Sequence, residues 1–313
     1  MFSGIFDSVK ENFRRPNNAI IQLIIVNVVI YLALGLLGVI LNISNAGEVF
    51  AVIHDQFTIP PLFEEFITRP WTILTYAFAH DLTGIFHILF NMLFLYWFGQ
   101  IVQEYIGGQR VINLYILGAL AGGVLYLVAF NLIPFYMGRS NFPGMVGASA
   151  AVYAVTIGAA TLKPDHTFFL IFLGPVKIKY IALFYVVVST LGLVGPNDGG
   201  NLAHLGGAFM GWFYISQLQR GRDIGSWITR ISDFFRERFG GKSRIRVSHR
   251  KPKTGGRSFS EGSSRNKTTT RKPSANTNAS QDEIDAILDK ISDTGYESLT
   301  KEEKQKLFNA SNK

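Results

Sequence analysis

Residues 20–41, IIQLIIVNVVIYLALGLLGVIL, run for 22 positions without one charged side chain. A bilayer core of roughly 30 Å takes about 20 apolar residues wound as a helix. Inside that core each backbone group must be paired within the protein, which leaves a helix as the form for a lone run of this kind. The run is read as a first span, Ala19–Leu41. Five further stretches follow it: Gly84–Ile106, Val111–Phe135, Ala148–Leu162, Tyr180–Val194 and Leu202–Leu218. The sequence therefore predicts an all-α polytopic membrane protein with a bundle of six transmembrane helices over residues 19–219. The apolar segment His166–Gly174, flanked by Lys163, Lys177 and Lys179, is expected to lie at the interface and lead into the fifth span.

Lys and Arg in short loops set orientation. Lys10, Arg14 and Arg15 precede the first span, Arg110 separates the second from the third, and Lys163, Lys177 and Lys179 separate the fourth from the fifth. Arg220 and Arg222 follow the sixth. The alternate loops are poor in positive charge. Asn42–Thr83 has Arg69 alone against Glu48, Asp55, Glu64, Glu65 and Asp81, Pro134–Gly147 has Arg139, and Gly195–Gly200 has none. The pattern predicts both termini in the cytoplasm and suits a bacterial inner (plasma) membrane. Residues 1–18 form a cytoplasmic N-terminal segment, and the first apolar run is too long for the core of a cleaved signal. The loop Asn42–Thr83 has two readings, an external cap or an interfacial segment anchored by Phe66, Trp71 and Tyr76.

A net charge of +8 belongs mostly to the tail. Within residues 220–240, Asp223–Phe239 sets Ile, Trp and Phe against Arg, as an amphipathic helix on anionic lipid does. Residues 241–280 read as a disordered basic linker. Residues 281–313 read as a small helical hairpin, its second helix starting at Ser298 with Glu302 and Glu303 in the first turn. Nothing in the tail has the aromatic interleaving or fold motif of a nucleic-acid binder, so the expected partners are the lipid bilayer and other membrane proteins. The chain has no cysteine, which excludes disulfides, thiolate catalysis and cysteine-held metals.

Polar groups are expensive inside a membrane, and three sets stand out. His87 and Asn91 are four apart in the second span, on one helix face. Ser149 follows Gly147 at the start of the fourth span. His204 follows Ala203 in the sixth, with Gly207 and Gly211 spaced for close helix packing. Each alone has a bland explanation: a serine bonding its own helix, a polar pair gluing two helices, a small-residue packing seam. Together they supply a hydroxyl, a base able to take its proton and two side-chain donors. Ser149 at a helix N-terminus also has free N–H groups and the positive dipole end beside it, which suit a developing oxyanion. Asp198, six residues before His204, reads as a solvated loop charge, and His80 as an interfacial polar residue. Tyr153, one turn beyond Ser149, is placed to pack on the imidazole. The constellation is a dyad.

HxxxN, GxS and AHxxGxxxG, in this order on these spans, resemble the rhomboid family of intramembrane serine proteases. The resemblance covers residues 19–219. It implies a six-helix rhomboid-like bundle with a water-filled cavity open to the outside. It further implies Ser149 as nucleophile, His204 as base, an oxyanion hole of His87, Asn91 and the Ser149 backbone N–H, and Tyr153 as support for the histidine. Substrates of the family are single-span membrane proteins cut near the outer membrane face, and the fifth span or the loop Val194–Asn201 would gate their entry. Two departures stand out: Ala150 where Gly commonly follows the serine, and Trp71-Thr72 where the loop often carries Trp-Arg. No cofactor or metal is implied. The main rival is a non-catalytic rhomboid-like protein that binds and routes membrane proteins. A transporter finds no internal repeat or buried charge in its favour. A metalloprotease finds no HExxH among His54, His80, His87, His166, His204 and His249.

Overall fold

The computed structural model describes residues 18–138, 144–170, 173–239, 281–294 and 298–311. The expected N-terminal segment, Arg139, and the linker with His249 fall outside the described residues. The chain divides into two units, Met1–Arg244 and Ile245–Lys313.

The first unit is helical. Helix α1 (Ala19–Ile43) leads into the loop region, which folds as α2 (Gly47–Asp55), α3 (Phe63–Thr68), α4 (Thr72–Thr75) and a 3₁₀ turn at Tyr76–Phe78. Next come α5 (Ile85–Ile106), α6 (Gly108–Leu132), the short α7 (Pro134–Met137), α8 (Ser149–Leu162), α9 (Ile178–Leu191), α10 (Asp198–Gln219) and α11 (Ser226–Phe239). Among the described residues α1, α5 and α6 are long and apolar enough to cross a membrane. Helices α8 and α9 are apolar but shorter, and α10 is diluted by Asp198, Asn201, His204, Gln217 and Gln219.

Three expectations are corrected here. The segment after α8 is not merely an interfacial lead-in. Thr167–Leu170 (β1) pairs antiparallel with Gly174–Lys177 (β2), Thr167 opposite Lys177, so the unit is not purely α. Phe168 and Phe169 favour extended backbone, and Asp165 fixes the open end by accepting from Lys177 Nζ at 3.0 Å and Lys179 Nζ at 2.8 Å. The third apolar run ends at Leu132, where Pro134 starts α7 as its first residue. Helix α10 begins at Asp198, not Leu202, with Asp198 buried and accepting from the Gly199 N–H at 2.7 Å. A carboxylate is stabilised in a helix first turn.

Helix α8 is the centre of the unit. Every residue from Ala150 to Ala160 is buried, against α10, α6 and α5. The sequence permits this because Ala150, Ala151, Ala154 and Gly158 offer little side chain. Across the seam, a Cβ at Gly207 would strike the Ala150 carbonyl oxygen, and one at Gly211 the Ala154 carbonyl oxygen. Close backbone approach through small residues is how membrane helices gain packing contact without a hydrophobic driving force.

The region 44–83 is a tied structure. Arg69 donates to the Asp55 carbonyl at 3.1 Å and pairs with the Asp55 carboxylate at 3.3 Å. Thr72, buried, donates to the Arg69 carbonyl at 2.7 Å. Arg69 and Thr72 thus both tie the loop internally. Trp71 is half exposed, whereas Tyr76 is buried and donates to the Ala119 carbonyl at 2.7 Å.

At the other end of the unit, α11 is held to the bundle through Asn113, whose amide donates to Thr229 Oγ1 at 3.2 Å and Tyr214 Oη at 3.3 Å. The second unit pairs α12 (Gln281–Thr294) with α13 (Lys301–Ser311). Its second helix is capped by Thr300, not Ser298. The Glu303 N–H donates to Thr300 Oγ1 at 3.3 Å while the Glu303 carboxylate accepts from the Thr300 N–H at 2.8 Å. This reciprocal pair is a capping box.

Candidate active site

Ser149 opens α8, and the chain just before it is gripped from two sides. Met145 exchanges both backbone hydrogen bonds with Ile59, at 2.8 and 2.9 Å, and the Gly147 N–H donates to the Tyr76 carbonyl at 3.0 Å. The loop region therefore sets where α8 starts. Gly147 itself has φ +136°, a conformation that favours glycine. A Cβ there would also stand 3.2 Å from the His87 ring, so the residue both turns the chain and makes room for that imidazole.

Ser149 Oγ lies 2.8 Å from His204 Nε2, within reach for proton transfer. Ala203, just before His204, is buried with its carbonyl toward Gly122 of α6. This orients the turn of α10 that carries the imidazole. Tyr153 stacks on that imidazole, ring centroids 4.2 Å apart and planes 12° apart. The three residues come from one α8 face and the α10 turn that Gly207 lets approach.

A cavity of about 900 Å³ opens onto this pair. His87, Asn91, Gly147, Ser149, Tyr153 and His204 all line it. Asn91 is nearly buried and gives one amide hydrogen to the His87 carbonyl at 2.8 Å, which leaves its second hydrogen for a ligand. The sequence-predicted site residues are thus brought together. Gly207 and Gly211 act one layer behind, as packing positions.

Two expectations change. Asp198 is not a solvated loop charge: it is buried and lines the cavity. His80 is not a surface residue. It is fully buried, edge-on to His87 with ring centroids 5.5 Å apart, and neither of its ring nitrogens has a hydrogen-bond partner among the described residues. Burial, and then the neighbouring His87, hold its pKa down at about 3. His166 meets Phe168 of the hairpin edge-on, ring centroids 5.1 Å apart, and is not among the residues that line the cavity.

Ser189 on α9 was not anticipated. Its Oγ lies 3.0 Å from Tyr153 Oη and 3.3 Å from His204 Nδ1. Tyr185, one turn earlier, sets its ring edge against both Tyr153 and Phe94, at 5.0 and 5.5 Å. In sequence the serine sits in YVVVSTLG, a setting in which a hydroxyl commonly bonds its own helix.

A rhomboid domain matches residues 68–220, and a family of unknown function matches residues 269–313, over the capped hairpin. RHOMBOID-like protein 12, mitochondrial, of Arabidopsis thaliana is 32% identical over 198 residues, 58% of this chain and 58% of that protein. Rhomboid-like protein 16, chloroplastic, of the same plant is 29% identical over 165 residues, 49% of this chain and 51% of that one. Rhomboid protease GlpG of Haemophilus influenzae is 26% identical over 167 residues, 51% of this chain and 77% of that protein. The chain spans only 58% and 51% of the two plant relatives.

Proposed function

The chain is a rhomboid family protein with apolar, membrane-suited helices, and from that premise we propose that it is an intramembrane serine endopeptidase. Ser149 is the nucleophile and His204 the base. The observation that carries this reading is the 2.8 Å approach of Ser149 Oγ to His204 Nε2 in the lining of the cavity. A serine and a histidine that met only to satisfy each other would not need a cavity beside them.

The chemistry proceeds by acyl transfer. The Ser149 hydroxyl gives its proton to His204 Nε2 as Oγ attacks the scissile carbonyl carbon. The carbonyl oxygen gains negative charge and is met by the Ser149 backbone N–H at the start of α8, with His87 and Asn91 as side-chain donors. His204 then returns the proton to the departing amine. Water, deprotonated by the same imidazole, releases the acyl group from Ser149. Substrates are single-span membrane proteins whose helix must unwind locally, because an intact helix shields its peptide bonds. The cut falls near the outer membrane face, with α9 or the segment Val194–Asn201 as the side where substrate enters. Six spans, α1, α5, α6, α8, α9 and α10, with both termini in the cytoplasm of a bacterial inner membrane, are supported by the Lys and Arg distribution. The α11 face meets anionic lipid.

Cleavage of a single-span substrate in proteoliposomes, with a fluorophosphonate label alongside, tests the proposal. Wild type is expected to cut and take the label. Ser149→Ala and His204→Ala are each expected to lose at least about a thousandfold in turnover. A folded wild type that neither cuts nor labels would favour the binding-and-routing alternative. Cutting by Ser149→Ala would remove that residue as nucleophile.

A further inference from the structure

We propose that Ser189 is a positioning residue for the dyad: it fixes the proton of the neutral His204 ring on Nδ1, so that Nε2 is free to take the Ser149 proton. The inference rests on the peptidase reading and adds a third side chain, from a third helix, to it.

The Ser149 hydroxyl can donate to Nε2 only while that nitrogen carries its lone pair. A neutral imidazole holds one proton, which must then sit on Nδ1. An acceptor beside Nδ1 favours that tautomer, because the other nitrogen's hydrogen bond decides which one is protonated. Ser189 Oγ, at 3.3 Å, is in that position. The serine's own hydrogen points onward to Tyr153 Oη at 3.0 Å, which leaves its oxygen lone pairs for Nδ1. The chain runs one way, from Nδ1–H to Ser189 to Tyr153, and Tyr153 closes it by stacking on the same imidazole.

The neighbouring hydroxyls show that this is a choice of the site. Thr190, Thr156 and Thr161 each donate to the carbonyl four residues back in their own helix, at 2.8 to 2.9 Å. Ser189, fully buried, directs its hydroxyl across the bundle instead. It is also one of only three buried residues of α9, with Ile178 and Ala182. Leu183, Phe184, Val187, Val188 and Leu191 face outward. Ser189 is thus the polar contact that α9 sends to the dyad, beside inward neighbours, Ile178 and Ala182, that are apolar.

The test compares wild type, Ser189→Ala and Ser189→Thr in proteoliposomes, with kcat and KM resolved on a single-span substrate and thermal midpoints in detergent as a folding check. Ser189→Ala is expected to lower kcat on the order of tenfold to a hundredfold with KM unchanged, and Ser189→Thr, which keeps the hydroxyl, to recover most of it. Fluorophosphonate labelling of Ser149 is expected to slow in step with kcat. The proposal is overturned by a Ser189→Ala enzyme that retains wild-type kcat. It is equally overturned by a loss that appears in KM alone, or by a well-folded Ser189→Thr as slow as the alanine variant. Should Ser189→Thr lower the midpoint, the labelling rate of the well-folded Ser189→Ala decides alone. Absence of cleavage by wild type would instead remove the peptidase reading, so the two failures are distinct.

Discussion

His80 shows what a single buried group does to the energetics of this site. Its folded pKa of about 3 lies below the usual histidine value near 6.5. Between those values the unfolded chain binds a proton that the folded chain does not. The stability contribution is complete above about pH 6.5 and is lost as the pH falls toward 3, at roughly 1.4 kcal/mol per pH unit. The thermal midpoint in detergent is thus expected to drop between pH 7 and pH 5, and His80→Phe to flatten that dependence. An equal drop in both proteins would show that another group governs it. Sequence legibility differs among these residues for physical reasons. Ser149, His204, His87, Asn91 and Tyr153 were visible because their spacings stand out against an apolar background. Ser189 was not, because its local sequence is the same whether the hydroxyl turns back on its own helix or across the bundle. The burial of Asp198 and His80 was not legible because it comes from other segments of the chain, the cavity wall for Asp198 and His87 of α5 for His80.

At the scale of elements, the seam between α8 and α10 carries the site. Gly211 faces the Ala154 carbonyl one turn below the layer where Gly207 faces Ala150. Gly211→Val would push the two backbones apart, a kind of overpacking that costs about 1–3 kcal/mol. The expected result is a lower thermal midpoint together with slower fluorophosphonate labelling of Ser149, since the separation also draws His204 from the serine. A midpoint unchanged from wild type would mean the seam can yield. The glycine spacing announced this contact in the sequence. The β1–β2 hairpin was less legible: a nine-residue apolar segment between lysines is equally compatible with a surface-lying stretch, and the long-range pairing of Asp165 with Lys177 and Lys179 is not visible in their spacing.

The whole molecule is two units, and the proposed dyad and its cavity lie in the first. Residues 18–138, 144–170 and 173–239 contain the cavity, the dyad and the segment that grips α8, whereas the capped hairpin forms within Ile245–Lys313. A chain ending at Arg244 is expected to cut a model substrate within about twofold of the full chain's rate, roughly 0.4 kcal/mol in barrier. A larger loss would give the hairpin a part in the reaction. A last consequence lies in the length of α8. Fourteen residues rise about 21 Å, against a hydrocarbon thickness of roughly 30 Å. In the proposed topology Lys163 marks the inner boundary and Ser149 the far end, so the length of this helix would fix the depth at which a peptide bond meets the serine.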